Sequence, residues 1–227
     1  TRLVIIPDFP TSRTAGSTNY WDNISFNAAT TPPPAGNDPT TASPLPTVAA
    51  NKVISMHSRA YTNVGVDTWR TGWSQASFAE VQVAGTTVKK YSDLVFVGIE
   101  TTGANLINAS GMTHFHVDVW TPDMTTFRVK LVDFGANAAW SGGDDVEHEL
   151  TFTPALSSWV SLDIPLADFT GLVTKEHIAQ LIFSGSPTGT AFVDNVYFYN
   201  STTTSNKELQ AQQLTVYPNP VTDFLNV

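Results

Sequence analysis

The 227 residues carry 20 acidic against 11 basic side chains, a formal net charge of −9 at pH 7 that argues against nucleic acid or an anionic membrane as partner. There is no cysteine, so a disulfide framework and a thiolate metal site are both excluded, and no apolar run is long enough to cross a bilayer as a helix. Only 14% of the residues are charged, and 14 Gly and 14 Pro break a Thr-, Ser-, Val- and aromatic-rich chain into short runs, the pattern of many short strands joined by turns.

The chain starts at Thr1 without Met or a visible signal peptide, and it reads as a fragment of something longer. "NYWDNISFN" at 19–27 matches "AFVDNVYFYN" at 191–200, each preceded by an apolar run and a Pro turn, "LVIIPDFPTSRTAGST" and "LIFSGSPTGT". The repeat makes residues 1–27 the last two strands of a preceding, similar module; an N-terminal extension packed on the main domain is the other reading. Residues 28–50, "AATTPPPAGNDPTTASPLPTVAA", are Pro- and Thr-rich and nearly uncharged, which predicts an extended linker with no core to join. Residues 51–200 carry the strand signals, 201–213 form a second polar linker, and "LTVYPNPVTDFLNV" closes the chain.

Period-2 alternation predicts strands at 52–57, 78–83, 86–91, 93–99, 113–120, 126–134, 146–153, 158–164, 178–184 and 191–199. Phe115, Val117 and Val119, then Phe127, Val129 and Leu131, then Val160, Leu162 and Ile164 form core-facing sets, and burial worth roughly 1.5–3 kcal/mol per side chain fixes their register. "PLADF" at 165–169 and "TKEH" at 174–177 read as short turns of helix. The architecture expected is all-β, a two-sheet antiparallel sandwich of jelly-roll type.

"THFHVDVWTPD" at 113–123 has the His-x-His-x-Asp opening of a metallo-hydrolase site. Val119 stands where that motif needs another His, and two histidines on one strand do not complete a zinc site. With Phe115, Val117 and Val119 directed inward, His114, His116, Asp118 and Trp120 point outward. Arg128 and Lys130, then Glu147 and Glu149, take matching positions on the next two strands. Such a face suits a sugar, with an indole against the pyranose ring and charged groups bonding its hydroxyls. Cross-strand ion pairing of Asp118 or Glu147 with Arg128 or Lys130 accounts for the same pattern, and the two are compatible.

Two loops add candidates. "DTWRTGWSQ" presents Trp69, Arg70 and Trp73, either as a stacking platform or with one indole, Trp73 by preference, plugging the core. "ANAAWSGGDDVEHE" carries Trp140, Asp144 and Asp145 ahead of Glu147; small neighbours favour ligand contact for Trp140, and the carboxylates suit calcium, sugar hydroxyls or a solvated acidic turn. Trp159 reads as structural and Trp21 belongs to the orphaned repeat. A glycoside hydrolase needs two carboxylates across a cleft. The Glu-x-Asp-x-x-Glu strand signature of one such family is absent, and so is a nucleophile elbow.

"VISMHSRAYTNVGVDTWRTGWSQ", "KKYSDLVFVGIE", "GMTHFHVDVWTPDMTTFRVKLVDFG", "SSWVSLDIPLADFTGL" and "FVDNVYFYN", in this order over 51–200, resemble the β-sandwich carbohydrate-binding modules attached to laminarinases and related glycoside hydrolases of marine Bacteroidota. The resemblance implies a non-catalytic module holding a secreted or surface-attached protein on a polysaccharide, β-1,3-glucan first, with a covalently linked enzyme or module upstream. It also implies a structural Ca2+ with Asp194 as ligand and Asp22 as its repeat equivalent. Where related sequences read "SDAYTN", Arg59 replaces the Asp, removing one oxygen ligand and adding a positive charge; calcium needs six to eight oxygens. "LTVYPNPVTDFLNV", with Tyr217-Pro218-Asn219-Pro220, is similar to the start of the C-terminal sorting domain read by the type IX secretion machinery, implying export to the cell surface or beyond.

Overall fold

The computed structural model describes residues 38–201. The expected preceding module at 1–27, with Trp21 and Asp22, and the sorting sequence at 214–227 lie outside the described residues, as does all but the first residue of the second linker. Among the described residues there are eight strands, β1 (Val53–His57), β2 (Gln75–Val83), β3 (Thr86–Glu100), β4 (His114–Trp120), β5 (Thr126–Asp133), β6 (Val146–Phe152), β7 (Val160–Pro165) and β8 (Ile178–Tyr199). Every strand pairing is antiparallel. Helix among the described residues is limited to two 3-10 turns, Ala50–Lys52 and Gly103–Asn105; the helical turns expected at 165–169 and 174–177 are irregular turns instead.

Strands β3 and β8 each merge two of the expected strands and run through both layers of the sandwich. In the first layer the late half of β8 lies between β4 on one side and β1 with the early half of β3 on the other, while β7 extends β4 and β2 extends β3. In the second layer the early half of β8 lies between β5 and the late half of β3, with β6 outside β5. β3 changes layer at Asp93, which takes the left-handed φ of 52° amid shifts of register between Tyr91 and Phe96. β8 crosses around Gly185 to Gly189, a stretch that contains the cis Ser186–Pro187 peptide.

One apolar core fills the space between the layers. Phe115, Val117 and Val119 of β4 and Phe127, Val129 and Leu131 of β5 are all fully buried in it, as alternation requires. β7 is an edge strand, so Ile164 is buried while Val160 and Leu162 are covered only in part. Each fully buried side chain contributes roughly 1.5–3 kcal/mol, and a slip of one residue would turn every one of them outward.

Part of the expected linker at 28–50 falls among the described residues. Residues 38–49 lie as a strap over the outer side of the first layer, because they supply hydrogen-bond partners to polar groups there. Ser43 is 2% exposed, the Trp159 indole donates to Thr41 O at 2.8 Å, Tyr61 donates to Val48 O at 2.9 Å, and Lys90 pairs with Asp38 at 2.9 Å.

Candidate functional site

The outward row of β4 belongs to the first layer, and the strap covers most of it. Asp118 is 1% and His116 6% exposed, and Trp120 packs edge-on against Phe192 in a second apolar cluster with Val83 and Val88. Beneath the strap Asn195, itself at φ 50°, lies at the centre of a closed polar network. Its amide nitrogen sits 2.7–2.9 Å from Ser43 Oγ, Pro44 O and Asp118 Oδ2, and its oxygen accepts from Ser58 Oγ at 2.7 Å. A left-handed φ is tolerated by Asn, and here it turns Asp194 and Asn195 to the same side as a bulge in the strand.

Next to this network His116 lies between two carboxylates. Nδ1 is 2.7 Å from Asp163 Oδ1 and Nε2 is 3.4 Å from Asp118 Oδ1. Burial works against its charge, but the hydrogen bonds to Asp118 and Asp163 outweigh that and push its pKa up to about 9. The bond from His116 in turn holds Asp163 below the usual carboxylate range. His57 goes the other way: burial, then the Lys89 ammonium, lower its pKa against the attraction of Asp194 at 3.5 Å.

The surroundings of Asp194 do not fit calcium. One carboxylate oxygen accepts from Ser43 Oγ and the other from its neighbour's backbone N–H, at 2.7 and 2.8 Å, and Arg59 donates to Ser43 O at 3.1 Å. The oxygens an ion would need are engaged by O–H and N–H donors, with a guanidinium beside them; among the described residues no three His, Asp or Glu converge on a metal-sized space.

The second layer's outer face is different in kind. Arg128 and Lys130 of β5 and Glu147 and Glu149 of β6 lie here, a full sandwich thickness from the β4 row with which the alternation had grouped them. The connection at 121–125 carries the chain from one layer to the other, and alternation along single strands cannot register that change. Glu100, Gln180, Val132 and Glu147 form one cross-strand row; Gly98, Ile182, Lys130 and Glu149 form the next. Gln180 donates to Glu100 at 2.9 Å, Lys130 pairs with Glu147 at 2.8 Å, and Arg128 lies 3.8 Å from Glu149.

Two exposed indoles flank these rows. Trp73, 45% exposed, lies flat over Gly98 and is stacked at 24° on Phe96; a Cβ at position 98 would collide with its six-membered ring. Trp140, 62% exposed, leans on Phe134 at 5.8 Å. Together with Glu100, Glu147, Gln180 and Ile182 they line an open groove of 480 Å3. Among the expected residues Trp73, Trp140 and Glu147 therefore meet at one site, with Arg128 further along the same face.

Other expected contacts do not join the groove. Trp69 is the plug in place of Trp73: it packs against the core and His57, with the Lys89 ammonium over its ring, while its carbonyl accepts from Tyr91. The loop is tied to the edge of β3 through the Thr68–Glu100 bridge and the bond from Thr71 N–H to Gly98 O, which leaves the second indole outside. Arg70 closes its own loop by donating to Ala76 O at 2.6 Å. Asp144 accepts from the backbone and side-chain nitrogens of Asn137, and Asp145 from Ser141 N–H, so both hold the shape of the loop that presents Trp140. Missed in the sequence were Glu100, Phe134, Gln180 and Ile182; Gly98, inside the strand run "DLVFVGIE", was the available signal, since a glycine there marks a close approach from above.

No family model matches the chain, and neither does any curated protein. Among solved structures, the family 30 carbohydrate-binding module of a cellulosomal cellulase of Clostridium thermocellum is 12% identical with a TM-score of 0.50, over 66% of this chain and 98% of that one. A further structure of a family 30 carbohydrate-binding module is 13% identical with a TM-score of 0.50, over 71% and 95%. A family 11 module from Clostridium thermocellum, in complex with a β-1,3-1,4-mixed-linked tetrasaccharide, is 15% identical at a TM-score of 0.47, over 67% and 98%. At such identities the family 30 structures establish a common fold, the β-sandwich of carbohydrate-binding modules.

Proposed function

We propose that this protein is a non-catalytic carbohydrate-binding module whose ligand is a β-glucan chain, β-1,3-glucan first, lying in the groove between Trp73 and Trp140. The observation that carries the reading is the pair of exposed indoles on either side of a polar sheet face. Indoles stack on the apolar faces of pyranose rings, and Gln180, Glu100, Glu147 and Lys130 offer donors and acceptors to hydroxyls between them. Fold alone would not carry it, since one architecture hosts many activities. The family 30 likeness agrees with it.

Catalysis is not part of the proposal. Glu147 is exposed and bonded to the Lys130 ammonium, and Glu100 accepts from Gln180, so neither is placed to deliver a proton to a leaving group. The resemblance of residues 214–227 to a secretion sorting sequence supports export, with the module keeping an attached protein on the polysaccharide. Affinity electrophoresis of the chain in gels of laminarin, mixed-linkage glucan, xylan, alginate and agarose tests the reading. Retardation by laminarin without release of reducing ends is expected; no retardation in any gel would remove it.

A further inference from the structure

The strap does not close the whole of the first layer's outer face. Between residues 44–48 and the adjoining parts of β4, β7 and β8 a cavity of 280 Å3 remains. Tyr197 forms part of its lining. The ring is stacked on His116 at 4.4 Å and meets Tyr61 edge-on at 5.4 Å, and the residue is 2% exposed. Its hydroxyl has no hydrogen-bond partner among the described residues. The hydroxyl is not sealed in the interior, so it is open to whatever occupies the cavity that Tyr197 lines. Asp163 is similarly half engaged: Oδ1 accepts from His116 and, at 3.1 Å, from Tyr199, while Oδ2 accepts from neither and the side chain is 54% exposed.

We infer that this cavity is a second ligand site, which takes a single neutral pyranose, either free or at the end of a chain, with Tyr197 Oη and Asp163 Oδ2 bonding its hydroxyls. Its volume lies just below the range usual for drug-sized ligands, about 300–1,000 Å3, which suits one sugar ring and no more. Pro44, Pro46 and the ring of Tyr199 supply apolar surface for the C–H face of the sugar. Two carboxylates, Asp118 and Asp163, against the one imidazole of His116 disfavour uronic or sulfated sugars. The site lies on the layer opposite the Trp73–Trp140 groove and stands whether or not that groove binds glycan.

The test is an amide NMR titration of the full chain with D-glucose and, separately, with laminaritriose, up to roughly 100 mM, far above the millimolar range of a weak site. Shifts are expected at Thr47, Val48, Tyr197 and Tyr199, and they should persist in the Trp73→Ala/Trp140→Ala variant. Tyr197→Phe, which removes only the hydroxyl, should weaken this binding about fivefold, as loss of one neutral hydrogen bond does. Asp163→Asn should weaken it as well. Equal shifts with both probes identify a free pyranose as sufficient, and shifts with laminaritriose alone identify a chain end. No shift around the strap with either probe, or unchanged affinity in both variants, would overturn the inference. Loss of groove shifts alone would count against the function proposed above and leave this site standing.

Discussion

The two outer faces of the sandwich begin from the same kind of sequence and end in opposite states. Each carries a row of charged groups and tryptophan on the polar side of alternating strands. On the first layer the strap buries Asp118, His116 and Trp120; on the second, Trp73 and Trp140 stay in solvent above ion-paired Lys130 and Glu147. Outward is therefore not the same as exposed. What separates the faces is whether another segment brings hydrogen-bond partners to the polar groups, as Ser43 and the carbonyl of Pro44 do for Asp194 and Asn195.

The sharpest way to break the comparison is to remove one indole from the covered face. Trp120→Ala should destabilise the fold by about 3–5 kcal/mol, the usual cost of a vacated aromatic site, while the molecules that remain folded bind glucan as before. Thermal melting and an affinity gel on the same sample check both halves. Next in size is a pH effect confined to that face. His116 has its folded pKa raised from 6.5 to about 9, so its contribution is fully present below pH 6.5 and is lost as pH rises through about 9. At 1.36 kcal/mol per unit this amounts to about 3 kcal/mol, visible as a declining unfolding free energy over that window and absent in His116→Gln. Asp163, with its pKa lowered, adds the opposite limb, losing stability as pH falls below the carboxylate range.

Ser43→Ala probes the strap itself. It leaves Asp194 Oδ2 without its donor in a buried network, while the Asn195 amide keeps Pro44 O and Asp118 as acceptors; this should cost about 1–3 kcal/mol in denaturant unfolding and leave the groove unaffected. The smallest effect expected is none. If the Asp194 network is complete without an ion, EDTA leaves the melting temperature where it was; a fall on chelation would mean that a bound metal stabilises the fold by mass action.

The layers and their core were legible because burial imposes a strict period: Phe115 to Val119 and Phe127 to Leu131 could face only one way. The candidate site was legible residue by residue but not as a place. Alternation reports side within a strand and carries no information on which layer the strand joins, so His116, Asp118 and Trp120 were grouped with Arg128 and Glu147 across the sandwich. The strap was invisible for another reason. Its Pro and Thr residues have the composition of a linker, and its order comes from carbonyls, one serine and one aspartate, groups that every sequence contains. Trp69 and Trp73 could not be told apart, because the choice rests on the Thr68–Glu100 bridge and the bond from Thr71 to Gly98.

The proposed function requires that the open face hold the body of the glucan chain, whether or not the covered face takes a single ring. Isothermal titration of laminarin oligosaccharides into the Trp73→Ala/Trp140→Ala variant tests it most directly. Each indole is expected to contribute about 2 kcal/mol, as anchor residues do, so binding at the groove should fall by roughly 1,000-fold while the melting temperature stays close to that of the parent. Parental affinity in a folded double variant would contradict it.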